Sequence, residues 1–252
     1  MEQRRRLPAA DGAPLAVRQR AGRSPGVVFL GGFNSAMTGN KASALDRWCA
    51  ETGRAFTRFD YRGHGASGGR LEDGTIGGWL DDASRVLDTL TAGPQVLVGS
   101  SLGGWLALLL ARHRPRRCAG LLLLAPAPDF TERLLPQQLG ADGLARLASQ
   151  GYCELPSAYP GEQPYRIGAH LLAEGRAHCL LDGGPLTPPG PVRVVHGMAD
   201  ASVPWREALA LVEALDGDVE LTLVKAGDHR LSSAADRERM LAQLAALCAA
   251  VA

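Results

Sequence analysis

One short segment of the sequence carries a serine and two glycines at the spacing that nucleophilic catalysis needs. The apolar run 96–98 leads into Gly99-Ser100-Ser101-Leu102-Gly103, and an apolar helical pattern begins at Leu102. A serine that attacks a carbonyl is held on a sharp turn between a strand and a helix, and small flanking residues let that turn close. The pattern predicts Ser101 as a nucleophile, whereas Ser100 is expected to pack or hydrogen-bond locally.

A serine nucleophile needs a base and an acid that orients the base, and two later segments offer them. Asp200 comes just after the apolar run 192–195, and His229 follows the run 219–224 and precedes the last helical segment. Asp228 is an alternative acid, but side chains of adjacent residues diverge, so Asp200 is favoured. His196 is expected to hold its own loop. The other histidines lack this combination of late strand, loop and helix; they are His64, His113, His170 and His178.

The negative charge that develops on an attacked carbonyl needs two hydrogen-bond donors. The N–H of Leu102, directly after the serine and at a helix start, is the first candidate. The second is expected in the loop after an early strand, where Gly31 and Gly32 allow close backbone approach. The N–H of Phe33 is the preferred candidate there, Asn34 is the second choice, and a plain glycine turn is the alternative interpretation.

The elements that would position these residues alternate between short apolar runs and helical patterns. Runs at 27–30, 56–60, 96–98, 120–124, 192–195 and 219–224 are typical of strands covered on both faces, and 14–20 reads as an earlier strand. Between them, Thr75 is a predicted N-cap, and Ser233 with Asp236 forms a predicted capping box. The alternation predicts an α/β fold with a mostly parallel central sheet and helices on both faces.

Length and composition favour one domain over 1–252, with a cap-like insertion at about 131–190 that covers one end of the sheet. That stretch is rich in Pro, Gly and Leu and shows no clear strand. Its leucines could line an apolar acyl pocket or pack in the core; they are Leu134, Leu135, Leu139, Leu144 and Leu147.

Charge and cysteine content limit the kinds of partner. Lys and Arg total 27 against 26 Asp and Glu, which gives no global reason to bind nucleic acid or an anionic membrane. We expect a small or acylated substrate met by an apolar pocket. Five widely spaced cysteines favour reduced thiols in the cytoplasm, and no spacing indicates a metal site. The Gly-x-Gly-x-x-Gly match at 63–68 does not open a helix at once, so no nucleotide cofactor is expected.

Taken together, these positions resemble the α/β-hydrolases. Within them, the segments 33–42, 99–105, 178–181, 203–205 and 227–230 look like the mitochondrial abhydrolase-domain family of palmitoyl-protein thioesterases, which also includes acyl-glucuronide esterase activity. Tyr159 and Tyr165 of the insertion fit the same resemblance. It implies Ser101, Asp200 and His229 as the catalytic residues. Since only a few basic residues and Glu2 precede the first predicted strand, a bacterial relative without a transit segment is expected.

The expected reaction is hydrolysis of carboxylic esters or thioesters through an acyl-enzyme on Ser101. Two alternatives stay open. The same triad could serve C–C bond hydrolysis or perhydrolysis, because fold and triad alone do not fix the reaction. A non-catalytic binding protein on this fold is the other alternative, although such proteins usually lack a triad member. The sequence gives neither the acyl chain length nor the oligomeric state.

Overall fold

The computed structural model describes residues 2–156 and 164–251. Tyr159 lies outside the described residues. Within the two described ranges, ten strands form two sheets. Their bounds are β1 Glu2–Pro8, β2 Pro14–Arg20, β3 Arg23–Leu30, β4 Arg54–Phe59, β5 Gln95–Ser100, β6 Cys118–Leu124, β7 Tyr152–Leu155, β8 Tyr165–Gly168, β9 Val192–Gly197 and β10 Val219–Val224.

The large sheet has eight strands in the order β1-β2-β4-β3-β5-β6-β9-β10. The pairs β1–β2 and β2–β4 are antiparallel, and every pair from β4 to β10 is parallel. The predicted α/β fold with a mostly parallel sheet is confirmed. Since the parallel strands run the same way, the loops that follow β3, β5, β9 and β10 meet at one edge of the sheet.

Eight helices accompany the strands within the described ranges: α1 Asn40–Glu51, α2 Ile76–Leu90, α3 Leu102–His113, α4 Phe130–Arg133, α5 Leu135–Gln150, α6 Ala169–Gly175, α7 Trp205–Ala214 and α8 Ala234–Ala250. The predicted caps form: the Thr75 side chain accepts a hydrogen bond from the N–H of Gly78, and Ser233 and Asp236 make a reciprocal capping box.

The two faces of the sheet bury separate apolar clusters because side chains of a strand alternate between faces. Along β5, Leu97 joins the cluster that contains Trp79 of α2 and Trp105 of α3. Its neighbours Val96 and Val98 join the cluster beneath α1 and α8. Every β5 residue is buried, which fixes the strand that leads into Ser101.

Two predictions about strands were wrong. The insertion at 131–190 contains β7 and β8, which pair antiparallel, although no clear strand was expected there. Each of these two strands has only four residues, which is too short for a two-residue alternation of apolar and polar residues to be recognised. In β7, Cys153 and Leu155 are the buried residues. β1 precedes the first predicted strand; it is a largely exposed, arginine-rich edge strand with no apolar alternation.

One buried carboxylate ties the two ends of this insertion together. Asp129, next to the start of α4, accepts hydrogen bonds from the N–H groups of Leu180 (2.8 Å) and Leu181 (2.8 Å). Burial raises the pKa of Asp129, and those backbone donors oppose the rise. The domain boundaries and the extent of the insertion stay predictions. Among the helices described, none has both the length and the apolar character needed to cross a bilayer.

Candidate active site

Ser101 occupies a strained turn between β5 and α3. Its backbone has φ 54° and ψ −117°, in a region that a residue with a side chain rarely adopts. The flanking glycines make room for the turn: a Cβ at Gly99 would lie 2.3 Å from the carbonyl oxygen of Gly103. A Cβ at Gly103 would lie 2.1 Å from the carbonyl oxygen of Leu30. Only glycine at both positions lets α3 start this close to β3.

The structure brings the three predicted triad residues into one hydrogen-bonded chain. His229 Nε2 lies 3.1 Å from Ser101 Oγ, and His229 Nδ1 lies 2.7 Å from Asp200 Oδ2. The serine and the histidine are 128 residues apart in sequence. They meet because Ser101, Asp200 and His229 each follow the carboxyl end of a strand, β5, β9 and β10 respectively.

The carboxylate of Asp200 is buried and has four donors. Its Oδ1 accepts the N–H groups of Ser202 and Val203, each at 2.8 Å, and its Oδ2 lies 3.3 Å from His196 Nε2 besides His229. Burial alone would raise the pKa of Asp200, but the hydrogen bonds from His196 and His229 and the charge of His229 hold it well below its usual range. An ionised carboxylate therefore orients the imidazole of His229 at neutral pH.

His196 and Asp228 do not take the roles of base and acid. His196 is fully buried, and its Nε2 lies 2.9 Å from the carbonyl oxygen of Val203, as expected for a residue that holds its own loop. The carboxylate of Asp228 accepts the N–H of Leu231 at 2.9 Å instead of a proton from the adjacent imidazole of His229.

The two predicted oxyanion donors belong to segments that approach the serine. Leu102 is the first residue of α3, where helical N–H groups have no partner inside the helix. A Cβ at Gly32 would lie 3.4 Å from Ser101 Cβ, so the loop after β3 closely approaches the serine. Next to it, the ring of Phe33 packs edge-on against Trp79 with centroids 5.7 Å apart, which holds the backbone of residue 33 in place.

A cavity of about 510 Å³ opens above Ser101 and His229. One wall is apolar and comes from the segment after β6, with Phe130, Leu134, Leu135, Leu155 and Ile167. Of the five leucines expected to line a pocket or pack in the core, Leu134 and Leu135 line this cavity. Leu147 is buried and Leu139 packs against the core, whereas Leu144 is 38% exposed.

Other histidines lie elsewhere. His64 is buried among the rings of Tyr61, Trp79 and Phe33, and its Nδ1 lies 3.1 Å from the carbonyl oxygen of Arg62. His178 Nε2 lies 2.6 Å from Glu174 Oε1, on the insertion, and neither residue lines the cavity.

The sequence reasoning assigned no role to two basic residues of the cavity wall, Lys41 and Arg230. Lys41 is in the first turn of α1, and Arg230 follows His229. The only available signal was that Lys41 is one of two lysines in the chain and lies eight residues after Phe33. Nothing in that spacing shows where its ammonium points.

A strained strand-to-helix serine on a mostly parallel sheet, beneath a cavity with one apolar wall, defines the class of this chain as an α/β-hydrolase. A family model described as "Serine aminopeptidase, S33" matches residues 25–159. The palmitoyl-protein thioesterase ABHD10 of Mus musculus, named as mitochondrial, is 40% identical over 225 residues, which covers 88% of this chain and 74% of that protein. The Bos taurus protein of the same name is also 40% identical over 225 residues, and the match covers 72% of its length.

Solved structures agree with the sequence comparisons. A crystal structure of a protein from Agrobacterium vitis S4 matches with a TM-score of 0.94 and 41% identity over 98% of this chain and 99% of that one. The mouse α/β hydrolase domain-containing protein 10 matches with a TM-score of 0.88 and 37% identity over 97% and 98%. The chain belongs to the α/β-hydrolase family of the ABHD10 palmitoyl-protein thioesterases, and it is a hydrolytic enzyme.

Proposed function

We propose that the chain is a serine esterase or thioesterase that works through an acyl-enzyme on Ser101. The observation that carries the proposal is the chain of hydrogen bonds from Ser101 Oγ through His229 to a buried, ionised Asp200. Within these hydrogen bonds, His229 has one ring nitrogen toward the nucleophile and the other toward the acid, which is the arrangement that a general base requires.

In the first half-reaction, Ser101 Oγ attacks the carbonyl carbon while His229 Nε2 takes the hydroxyl proton. The N–H groups of Phe33 and Leu102 donate to the oxyanion of the tetrahedral intermediate. His229 then gives its proton to the leaving alcohol or thiol, and the acyl group stays on Ser101. A water molecule deprotonated by His229 attacks the acyl-enzyme, and collapse releases the carboxylic acid and restores the serine.

The substrate class follows from the cavity wall and from the family. Apolar side chains of the insertion suit an acyl chain, and the relatives are named as palmitoyl-protein thioesterases. We therefore propose small-molecule or protein-linked acyl esters and thioesters as substrates, with no cofactor, no nucleic-acid partner and no stable membrane insertion. The relatives are named as mitochondrial, so a cytoplasmic location of this protein is only a proposal.

The test combines a kinetic and a chemical measurement. Ser101→Ala is expected to lower kcat for p-nitrophenyl esters by about 10⁴-fold or more, since the nucleophile is gone. A fluorophosphonate probe is expected to label the wild-type protein and Ser100→Ala, but not Ser101→Ala. Turnover near the wild-type level in Ser101→Ala would remove the acyl-enzyme from the mechanism. A series of esters from acetate to palmitate then reports the length of the acyl pocket.

A further inference from the structure

The carboxylate of Asp200 has a second imidazole beside it, which the proposed mechanism leaves unused. His196 Nε2 lies 3.3 Å from Asp200 Oδ2, the same oxygen that lies 2.7 Å from His229 Nδ1. The same nitrogen of His196 lies 2.9 Å from the carbonyl oxygen of Val203. His196 therefore contacts both the acid of the triad and the backbone of the loop that carries this acid.

The neighbours of the His196 ring fix the position of its proton. The two atoms next to Nε2, the carbonyl oxygen of Val203 and the carboxylate oxygen of Asp200, are both acceptors, so Nε2 carries a proton and donates to both. Nδ1 of His196 is buried and has no hydrogen-bond partner among the residues that the structure describes. A proton on Nδ1 would be a buried N–H without an acceptor, which is costly. The ring therefore carries its single proton on Nε2.

This donor connects a loop to the interior of the sheet. His196 is fully buried in β9, which lies between β6 and β10, and it is opposite Leu223 of β10. Asp200 lies in the loop that follows β9, and His229 lies in the loop that follows β10. A ring fixed within the sheet thus holds a carboxylate whose own backbone lies outside it.

The other donors to Asp200 leave one movement of the carboxylate free. The N–H groups of Ser202 and Val203 both bind Oδ1, so they act as a pivot at that oxygen. Oδ2 is held by His229 and by His196. Without the donor of His196, Asp200 and His229 are free to shift as a pair about this pivot, away from the 3.1 Å contact between His229 Nε2 and Ser101 Oγ.

We infer that His196 is a positioning residue of the triad, which holds Asp200 Oδ2, and through it His229, in line with Ser101. The inference rests on the proposed function, because it assigns a support to the acid of that mechanism. It also has an electrostatic consequence. His196 and His229 both stabilise the ionised carboxylate of Asp200. With one of these donors removed, Oδ2 attracts the proton of His229 more strongly, so the general base becomes neutral only at higher pH.

Two substitutions separate the donor from the packing of the ring. His196→Gln places an amide N–H about as far along the side chain as Nε2, whereas His196→Met fills a similar volume without a donor. For p-nitrophenyl butyrate at pH 7, we expect kcat of His196→Met to fall by about tenfold or more, the effect of one hydrogen bond to a charged group. KM is expected to stay within about twofold, because the change acts on the chemical step.

The order of the two variants distinguishes the donor from a packing role. His196→Gln is expected to keep kcat closer to the wild-type value than His196→Met, because only the amide can donate to Oδ2. A packing role predicts the opposite order, since Gln buries an amide where Met buries an apolar chain. His196→Leu is the second variant without a donor, for use if His196→Met does not fold.

The pH dependence of kcat/KM gives a readout that packing alone does not move. Its acid limb reports the pH at which the general base becomes neutral. In His196→Met this limb is expected to move to higher pH by about half a unit or more, and in His196→Gln it stays near that of the wild type. The other charged residues around His229 are the adjacent Asp228 and Arg230 and, in the cavity wall, Lys41. They are the same in every variant and keep their charge below pH 7.

Val195→Ala is the matched control for a loss of packing in the same strand. Val195 is buried in β9 directly before His196, on the face of the cluster beneath α1 and α8. Its truncation is expected to lower the urea concentration at the unfolding midpoint and to leave the acid limb where it is in the wild type.

A double-mutant cycle tests whether His196 acts through Asp200. In an Asp200→Asn background there is no carboxylate for His196 to hold, so His196→Met is expected to lower kcat by less than about twofold further. A role of His196 that is independent of Asp200 would repeat the tenfold loss in that background.

The outcomes distinguish the inference from the proposed function. The role of His196 is overturned by wild-type kcat in His196→Met, by a greater loss in His196→Gln than in His196→Met, by an unmoved acid limb, or by a repeated loss on Asp200→Asn. Each of these results leaves the acyl-enzyme on Ser101 standing. If the wild-type protein hydrolyses no ester, the proposed function fails and the inference fails with it.

Discussion

Replacing Asp200 with asparagine tests the acid of the proposed triad with almost no change of volume. In the wild-type protein, Oδ2 accepts from His229 Nδ1 at 2.7 Å, and Oδ1 accepts the N–H groups of Ser202 and Val203 at 2.8 Å. Both sides of the carboxylate thus face donors. An amide has one acceptor and one donor, so one side must be mismatched in either orientation.

The two orientations have different consequences. If the amide NH₂ faces Ser202 and Val203, two backbone N–H groups lose their acceptor, at about 1–3 kcal/mol each. If the NH₂ faces His229, the imidazole must move its proton to Nε2 to accept that hydrogen bond. The second orientation avoids the double loss, and it leaves a protonated nitrogen toward Ser101 that cannot accept the hydroxyl proton.

The expected effect on activity is therefore large. We expect kcat of Asp200→Asn to fall by about 10⁴-fold, equivalent to about 5.4 kcal/mol at about 1.36 kcal/mol per factor of ten. The assay is hydrolysis of a p-nitrophenyl ester at pH 7, with thermal unfolding to show that the variant is folded. Because the fault is a wrong tautomer and not a missing nucleophile, fluorophosphonate labelling of Ser101 should be slowed rather than abolished.

Asp228→Asn is the matched control, since this acid is adjacent to His229 and is exposed, with its carboxylate bound to the N–H of Leu231. Its kcat is expected to stay within about threefold of the wild-type value, as for a surface substitution. An Asp200→Asn enzyme within tenfold of the wild type, or an equal loss in Asp228→Asn, would refute the assignment of Asp200.

Two further predictions concern the scaffold and its stability. Gly103→Ala places a Cβ 2.1 Å from the carbonyl oxygen of Leu30, so we expect the free energy of unfolding, measured in urea, to fall by about 1–3 kcal/mol. Because the same shift displaces Ser101, kcat/KM is also expected to fall. A fully stable Gly103→Ala would contradict the close contact. Because the pKa of Asp200 is depressed on folding, its contribution to stability is present above the unfolded pKa of about 3.9 and is lost as pH falls below it. Urea unfolding should therefore show a steeper loss between pH 5 and 3 for the wild type than for Asp200→Asn, and parallel curves would contradict this.

The residues of the triad are predictable from sequence because local rules place each of them. Ser101 and Asp200 follow the carboxyl ends of the buried strands β5 and β9, and His229 follows that of the partly exposed edge strand β10. Parallel strands bring these ends to one edge of the sheet. The prediction therefore needs only the strands and their direction, not their order in the sheet. The apolar runs are long enough to identify β5, β9 and β10, each of which has six residues.

The strands that were missed lack the signals that identify the others. β1 is stabilised by pairing with β2 across the whole register from Glu2 to Pro8, while its arginines face solvent. β7 and β8 are stabilised by packing of Leu155 and Ile167 against the core. In all three strands, tertiary contacts and not local periodicity decide the structure, so single-sequence reasoning misses them.

The direction of the Lys41 ammonium is beyond sequence reasoning for a related cause. Its hydrogen-bond partner, the carbonyl of Arg230, is 189 residues away, and both groups lie in loops or at a helix end whose paths are set by packing. A near-neutral net charge gave the expectation of an apolar pocket for an acylated substrate. A net charge of +1 shows only that the protein has little long-range electrostatic field; it says nothing about single charged residues in the cavity wall.

A cavity can nevertheless be polar on one side while the whole protein is neutral. Within the described wall, Leu134, Leu135, Leu155 and Ile167 come from the insertion, whereas Lys41 comes from α1 and Arg230 directly follows His229. An ester or thioester is itself divided at the scissile bond into an acyl part and a leaving group. If the apolar wall of the cavity receives the acyl part, the insertion sets the acyl chain length. Substitutions at Leu134 or Leu135 should then change the chain-length profile of ester hydrolysis while leaving kcat/KM for the acetate ester nearly unchanged.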